Sequence, residues 1–585
     1  MLKVFVVVFF TILSLEGITA TACYGLKSGL LQLFMPLFPI VAYSFTLTLI
    51  IFPFHKIYKH SLNILILLIS IFYITLILYY SFYGFLPGIG VYKLAGQLSD
   101  IKFSVIRLVL DNIFSLIIVF LILACSFLLG KVCNFFNNKI NPHWKKIILL
   151  GLFFITVNEY ISQFFIATSQ DAMIRNKGMF DRFSVNTSGF GFTYIEKLKK
   201  YLSFEKVDIT EEEYFALIDN ISIDCFSKEQ TDSYQWQQLP DIYIVQVESL
   251  PFILINKKHN GEYIVPNFSR LYRSAEYASP MVSVIAGGGS SDSEFSLTTG
   301  LLPLQDRAVF SEFAGTFYPA NLFSMLKSKG YITSFFHGNH GNFWNMRKNY
   351  TAMGVDNIYF RDAYTNNHPV TKTGIDGVDD SDFFEQSYAK IQENRIINNK
   401  PVANLLITLT THHPYNIGIS YDFFADIKDD TMRKFFVSSY YSDKSFGEFY
   451  KKVKENNPNS IFIVYGDHYT LNPSTKEIAS FLNVNLYKAY QKYTVPLIID
   501  LPGDREKIIS KYIPNQTNIL PTLNNILGLK NTNKPYIGSS LLSESSCFYV
   551  QKTEGIFDGE KFTSHKDKVE QSKRLLLFQV FSSRN

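Results

Sequence analysis

Residues Ala286–Gly300 read AGGGSSDSEFSLTTG. Three consecutive glycines run into hydroxyls and carboxylates, and glycine both tolerates unusual backbone angles and lets other groups approach the main chain. Two readings stand at this point. The segment is either an ordinary flexible loop, or a tight turn presenting Ser290 at a helix N-terminus, where N–H groups and the helix dipole favour an anion. Other groups of chemical interest close apolar runs: Glu248 follows PDIYIVQV, Asp467–His468 follow SIFIVYG, and His412–His413 follow NLLITLTT. Taken singly, a strand-end acid is usually solvated and an Asp–His pair usually structural. Taken together with Ser290, Glu248 and the Asp467–His468 pair form an oxygen- and nitrogen-rich set that suits a divalent cation such as Mn2+ or Zn2+. A cation beside a serine hydroxyl lowers its pKa and offsets the charge of an incoming phosphoryl group. Glycines let that group reach backbone N–H donors.

For these side chains to meet, the chain must deliver them to one place. The three runs above, with YTVPLIIDLPG as a fourth, are compact, apolar and rich in β-branched residues and tyrosine. Helical patterns such as NLFSMLKSKG and DFFEQSYAKIQENRI lie between them. Near-continuous apolar strands alternating with helices predict a parallel sheet covered on both faces. Ligands of such sheets bind beyond the carboxyl ends of the strands, which is where the candidate groups recur. Upstream, residues 168–235 read as an irregular stretch followed by helix, with Thr210 of TEEEYF as N-cap.

The chain has 585 residues, too many for one ordinary domain, and its 47% hydrophobic content is concentrated at the N-terminal end. Five segments there are apolar over about the 20 residues a membrane helix needs: Val4–Ala22, Phe34–Phe54, Leu62–Phe85, Phe103–Leu129 and Ile147–Ala167. The first also resembles a signal peptide, but four spans follow it and a retained helix is the expectation. Lys56 and Lys59 after the second span, and Lys131, Lys139, Lys145 and Lys146 after the fourth, place those connections in the cytoplasm and everything after Ala167 outside. Glu16, Glu159 and the Arg107–Asp111 pair lie within the spans, either as polar glue or as a lipid-headgroup pocket. Cys225 and Cys547 would lie outside, where a bridge can persist. No zinc-type cysteine spacing occurs, and the net charge of +5 points to no nucleic-acid partner.

The segments VQVES, GGGSSDSEF, FFHGNHGNFWNMRKNYTAMG, TLTTHHPY, YGDHY, YTVPLIIDLPG and NILPTLNNILGL occur in the order found in the lipoteichoic acid synthase family. The resemblance covers most of residues 236–545 and places the chain in the wider alkaline phosphatase and sulfatase superfamily. It implies an α/β architecture: a five-helix transmembrane bundle (1–167), a linker with membrane-proximal helices (168–235), an extracytoplasmic sulfatase-like α/β/α sandwich (236–545), and a C-terminal extension (546–585) with a small edge hairpin. It also implies one divalent cation, Mn2+ first with Zn2+ or Mg2+ as alternatives, held by Glu248, Ser290, Asp467 and His468. Ser290 is then the nucleophile, and His337, Trp344, Arg347 and His412 line a phosphoglycerol pocket, with His412 also catalytic and His413 supporting. Two positions depart from the family. The usual nucleophile is threonine in GGGTS, and the teichoic acid enzymes carry arginine directly after WN, where this chain has Met346. Arg347 stands one residue later, as in the NMR of the periplasmic-glucan phosphoglycerol transferases.

The function this resemblance implies is transfer of glycerol phosphate from phosphatidylglycerol to a glycan or glycerol-phosphate polymer, by a multi-pass enzyme of the cytoplasmic membrane. Phosphoethanolamine transfer, hydrolysis by the same chemistry, and an inert membrane-anchored binding protein are the alternatives. A sulfatase is disfavoured, because the Cys/Ser-x-Pro-x-Arg segment is absent at SSDSE.

Overall fold

The architecture was obtained as a computed structural model of the chain. It describes residues 2–24, 37–57, 60–83 and 102–135, then 236–286, 288–304, 307–365, 377–470, 472–503, 505–508, 513–528 and 537–542, with isolated positions elsewhere. Two compact units emerge, Met1–Ile89 with Val105–Phe204, and Gly90–Ser104 with Glu205–Asn585.

The first unit is helical: α1 (Leu2–Tyr24), α2 (Leu37–Ile57), α3 (Ser61–Tyr83), α4 (Lys102–Asp111) and α5 (Ile113–Phe135). α1 packs against α2, α3 and α5, with Val8, Ile12, Leu15, Ile66 and Tyr73 in the core. Among the described residues, Val4–Cys23 and Ser61–Ser81 are long and apolar enough to cross a membrane, whereas Pro39–Ile51 and Ile113–Leu128 are apolar but shorter. The expected fourth span is divided at Asn112. Its amide donates to the Leu108 carbonyl and to Ser81 Oγ, both at 2.9 Å, so a polar group inside the apolar run turns back to its own helix and across to α3. The expected fifth span, Glu159, Cys225, Cys547 and the Arg107 side chain lie outside the described residues. Glu16 is buried as polar glue within its unit, accepting from Tyr73 Oη (2.7 Å) and from the backbone N–H of Phe190 (2.9 Å) and Gly191 (3.2 Å).

The second unit is built on seven strands: β1 (Asp241–Val247), β2 (Tyr277–Val282), β3 (Ile332–His337), β4 (Asn357–Tyr359), β5 (Val402–Ile407), β6 (Ser460–Gly466) and β7 (Thr494–Asp500). Their order is β2-β7-β6-β1-β5-β3-β4. The sequence predicts an all-parallel sheet; the observed one is mixed, because β7 runs antiparallel to both β6 and β2. After Gly466 the chain passes through the helix Thr475–Phe481 and a 3-10 turn, Ala489–Tyr493, which leads directly into β7. The register, Tyr465 opposite Leu497 and Phe462 opposite Asp500, shows that β7 starts at the carboxyl edge of β6 and returns from there.

β1, β5 and β6 are buried throughout, and helices cover both faces. On one, α6 (Pro266–Ser274), α10 (Asp380–Asn398) and α11 (Asp430–Asn456) share a core with Tyr243, Phe384, Phe449 and Phe462. On the other, α7 (Ser290–Thr299), α8 (Leu322–Ser328), α9 (Met346–Ala352) and α12 (Ile519–Ile526) complete the fold; the Phe335 ring of β3 stacks there on Tyr350 of α9, while Phe336 points the opposite way. Thr210 caps its helix as expected, and does so as a capping box: the Glu213 N–H donates to Thr210 Oγ1 and the Thr210 N–H to Glu213 Oε2, both at 3.2 Å. In the C-terminal extension, Ile556–Phe557 pairs antiparallel with Phe562–Thr563 as a sheet of its own, not on an edge of the main one as expected.

Candidate active site

Strand register sets the site. Val247 pairs with Gly466, so Glu248 and Asp467 emerge side by side from adjacent parallel strands. His337 and Ile407 are paired at the ends of β3 and β5, so His337 and the loop Thr408–His412 open at the same edge. Ser290 enters from α7. Its Oγ donates to Glu248 Oε2 at 3.1 Å and lies 3.2 Å from His468 Nε2. His468 Nε2 lies 3.5 Å from Glu248 Oε1 and 3.7 Å from Asp467 Oδ2.

These groups fit a divalent cation. One ligand atom each from Glu248, Asp467 and His468 lie within 4.8 Å of one another. Asp467 is buried, and its Oδ2 accepts no hydrogen bond among the described residues, a costly state for a carboxylate oxygen without a cation. Its Oδ1, by contrast, is held by the N–H groups of Ser249 (2.8 Å) and His468 (2.6 Å). Burial, and then the charge of Glu248, push the Asp467 carboxyl up to about 7. Burial works the same way on Glu248, but His468, His412 and the Ser249 hydroxyl together hold it below its ordinary range. Two acids with opposed affinities for a proton at one site are what an uncompensated pair of ligands gives.

The glycine segment is a turn. Gly289, the N-cap of α7, has φ +55° and ψ −128°, a conformation that side-chain-bearing residues avoid. Gly288 is constrained by space, since a Cβ there would lie 2.4 Å from Asp292 Oδ1. Asp292 shapes the turn, its Oδ2 accepting from the N–H of Ala286 (2.8 Å) and Gly288 (2.7 Å). Ser290 thus opens the helix, where first-turn N–H groups have no acceptor within the helix.

Three histidines share one tautomeric logic. Nδ1 of His337, His412 and His468 faces a backbone carbonyl, of Ile407 (3.0 Å), His413 (2.8 Å) and Tyr469 (2.9 Å) respectively. A carbonyl only accepts, so Nδ1 carries the proton and Nε2 is the nitrogen with a lone pair. Burial lowers His337 to about 4, so it is neutral at physiological pH. Trp344 is buried with φ 52°, followed by Asn345 at φ 54°. A left-handed tryptophan costs on the order of 1–3 kcal/mol and such strain clusters at functional sites; Asn349 Nδ2 helps hold it through the Trp344 carbonyl (3.2 Å). Arg347 is engaged elsewhere: its guanidinium bonds both oxygens of Asp362 (2.9 and 2.8 Å) and lies 4.9 Å over the Phe360 ring.

Residues 240–529 match the sequence model of the family named Sulfatase. Over 343 residues the chain is 29% identical to lipoteichoic acid synthase 2 of Bacillus subtilis (strain 168), covering 57% of this chain and 52% of that protein. Residues 240–529 are thus a Sulfatase-family domain, in a chain similar in sequence to lipoteichoic acid synthases. The chain is also 24% identical over 370 residues to the lipoteichoic acid synthase of Staphylococcus saprophyticus, with 61% of this chain and 55% of that protein covered. It therefore spans about half the length of these curated relatives. The crystal structure of the lipoteichoic acid synthase LtaP from Listeria monocytogenes superposes with a TM-score of 0.53 at 22% identity, over 63% of this chain and 98% of that one, which shows the shared fold. The superfamily generally uses a divalent metal.

Sequence reasoning passed over several residues that shape this sulfatase-like site. Thr408 Oγ1 accepts from the Glu248 N–H (3.0 Å), and Thr411 Oγ1 donates to the Glu248 carbonyl. Gln516 Nε2 and Ser283 Oγ both donate to the Asp467 carbonyl, at 2.9 and 2.8 Å. Asp380 accepts from the N–H of Leu409 (2.8 Å) and Thr410 (3.1 Å), bracing the loop that carries His412. The threonines of TLTTHHP stood beside a quoted motif. The others carry no local signal.

Proposed function

We propose that the chain is a metal-dependent phosphoglycerol transferase of the cell membrane, taking glycerol phosphate from phosphatidylglycerol and passing it to a glycan or a glycerol-phosphate polymer. The observation that carries this reading is the Ser290 hydroxyl, presented by a glycine turn and lying 3.1 Å from Glu248 and 3.2 Å from His468. Kinship to lipoteichoic acid synthases supports the donor and acceptor classes. Apolar helices at Val4–Cys23 and Ser61–Ser81 support the membrane anchor; the further spans, the multi-pass topology and an extracytoplasmic second unit belong to the same proposal.

In the first half-reaction Ser290 Oγ attacks the phosphorus of the lipid phosphodiester. The bond from phosphorus to the diacylglycerol oxygen breaks, leaving phosphoglycerol on Ser290. The serine proton passes to Glu248 Oε2, its hydrogen-bond acceptor, and the departing oxygen takes a proton from a doubly protonated His412, whose Nε2 then holds a lone pair. In the second half-reaction an acceptor hydroxyl attacks the same phosphorus and gives its proton to that Nε2, while Ser290 leaves and recovers its proton from Glu248, a ping-pong sequence. A cation held by Glu248, Ser290, Asp467 and His468, Mn2+ first with Zn2+ or Mg2+ as alternatives, would acidify the hydroxyl and neutralise phosphoryl charge. His337 and Trp344 line the pocket for the glycerol phosphate. Arg347 joins them by exchanging Asp362 for phosphate; that carboxylate is 71% exposed, and surface pairs are weak enough to exchange.

Incubating the full-length protein with Mn2+ and radiolabelled phosphatidylglycerol tests the reading. Expected products are diacylglycerol and a Ser290 adduct with the mass of phosphoglycerol. An ethanolamine-bearing adduct from mixed lipids would replace the donor, and unchanged diacylglycerol release by Ser290→Ala would end the proposal.

A further inference from the structure

Four residues beyond Ser290 on α7 stands an acid to which the mechanism gives no task. Glu294 is 0% exposed, as is Tyr350 of α9, and Tyr350 Oη donates to Glu294 Oε2 at 2.5 Å. The other oxygen, Oε1, accepts no hydrogen bond among the described residues. Hydrophobic packing alone would favour an aliphatic residue here, because a buried carboxyl is costly to desolvate. Among the described residues, its compensation is the bond to Tyr350.

Tyr350 touches three elements of the site. Its own helix carries Arg347 and begins directly after the left-handed pair Trp344–Asn345. Its ring stacks on Phe335 with centroids 3.7 Å apart, two residues before His337. Its hydroxyl reaches Glu294 on the helix that Ser290 opens. Phe310 and Phe323 meet the ring edge-on, so the ring has little freedom to follow if one element shifts.

We propose that Glu294 is a positioning residue: through Tyr350 it fixes the nucleophile helix against the segment bearing Trp344 and Arg347, so that Ser290 and the bound phosphate keep an attacking geometry. The proposal rests on the reading of Ser290 as nucleophile. Burial foremost, aided by the charges of Asp467 and Glu248, raises the Glu294 carboxyl to about 8, so it serves as a hydrogen-bonding group without adding charge beside the two acids.

The test uses full-length protein in detergent with Mn2+, two substrates (phosphatidylglycerol and bis(4-nitrophenyl) phosphate) and two near-isosteric variants. Tyr350→Phe keeps the ring stack and deletes the hydroxyl. It is expected to lower kcat about tenfold on a misaligned nucleophile, with KM and the Mn2+-induced rise in melting temperature within twofold of wild type. Glu294→Gln keeps an acceptor for the tyrosine and is expected to hold kcat within about twofold. Wild-type kcat in Tyr350→Phe, whatever its melting temperature, overturns the proposal, leaving the bond purely structural. So does an equal loss in both variants, which would make the carboxyl rather than the tie essential. A wild-type protein that cleaves the small diester but releases no diacylglycerol refutes the lipid-transfer reading, while the variants still decide the tie on the small substrate.

Discussion

Strand β1 begins and ends at a buried carboxylate, and the two are opposites. At the start, Asp241 spends both oxygens: Oδ1 accepts from Val402 N–H at 3.1 Å, while Oδ2 accepts from Asn457 at 2.6 Å and pairs with Arg395 at 3.3 Å. Just past the end, Glu248 accepts only from hydroxyls, Ser249 at 2.8 Å and Ser290 at 3.1 Å, and faces a second buried acid, Asp467, whose Oδ2 accepts no hydrogen bond among the described residues. Same strand, same neighbours, same burial; only the partner set differs. An acid whose bonds are complete within the protein is holding the fold together. Two acids crowded beside an imidazole, with one oxygen between them unmet among the described residues, are a donor set suited to a cation. Burial and strand position alone would have ranked the two alike.

Substitutions at the two ends should separate activity from stability. The largest effect belongs to Ser290→Ala, expected to cut diacylglycerol release by roughly 10^4-fold or more, as loss of a covalent nucleophile does, with the melting temperature nearly unchanged. Asp241→Ala should do the reverse. It strands the Val402 N–H and the Asn457 amide and leaves Arg395, itself partly in solvent, without its acid, costing about 3 kcal/mol. Turnover per folded molecule should stay at the wild-type value. If Asp241→Ala instead loses turnover at full stability, the contrast between the ends is false.

Cation binding sharpens the same comparison. At about 100 times its dissociation constant, Mn2+ should stabilise the wild-type chain by about 2.7 kcal/mol, read as a rise in melting temperature that a chelator reverses. Asp467→Asn should lose most of that rise, and Asp241→Ala should keep it. A rise that survives Asp467→Asn would place the ion elsewhere.

What the sequence could convey follows the same division. Glu248, His412 and Asp467–His468 were legible as candidates because each closes a run too apolar to be anything but a buried strand, and position past such a strand is local information. The glycine turn was legible as a possibility, but only Asp292 and the φ of Gly289 decide it against a loop. The direction of β7 was not legible, because it is set by pairing with β6 and β2, which are remote from the residues of β7 itself. Nor was the engagement of Arg347 by Asp362, or of Glu294 by Tyr350; in each, the partner comes from another element and neither residue type announces it. The break at Asn112 was hidden by averaging, one amide being too few to lower an apolar window.

The smallest expected effect concerns Asp380, which braces the His412 loop and resembles Asp241 more than Asp467. Its Oδ1 accepts from Leu409 and Thr410, and its Oδ2 from Ser442 Oγ at 2.5 Å. Those bonds favour the anion, yet burial outweighs them and raises the carboxyl to about 6, above the roughly 3.9 of an unfolded chain. Between those values the folded protein holds a proton that the unfolded chain has lost. The contribution of Asp380 is thus fully present near pH 4, declines as pH climbs toward 6, and is flat beyond. Asp380→Asn keeps an acceptor for the two N–H groups and cannot titrate. The stability of wild type relative to this variant should therefore fall by about 2 kcal/mol from pH 4 to pH 6.5, measured on the metal-free chain so that ligand protonation is common to both. A difference that stays constant over that range would mean the three donors, not burial, set the charge of this acid, and Asp380 would then belong wholly with Asp241.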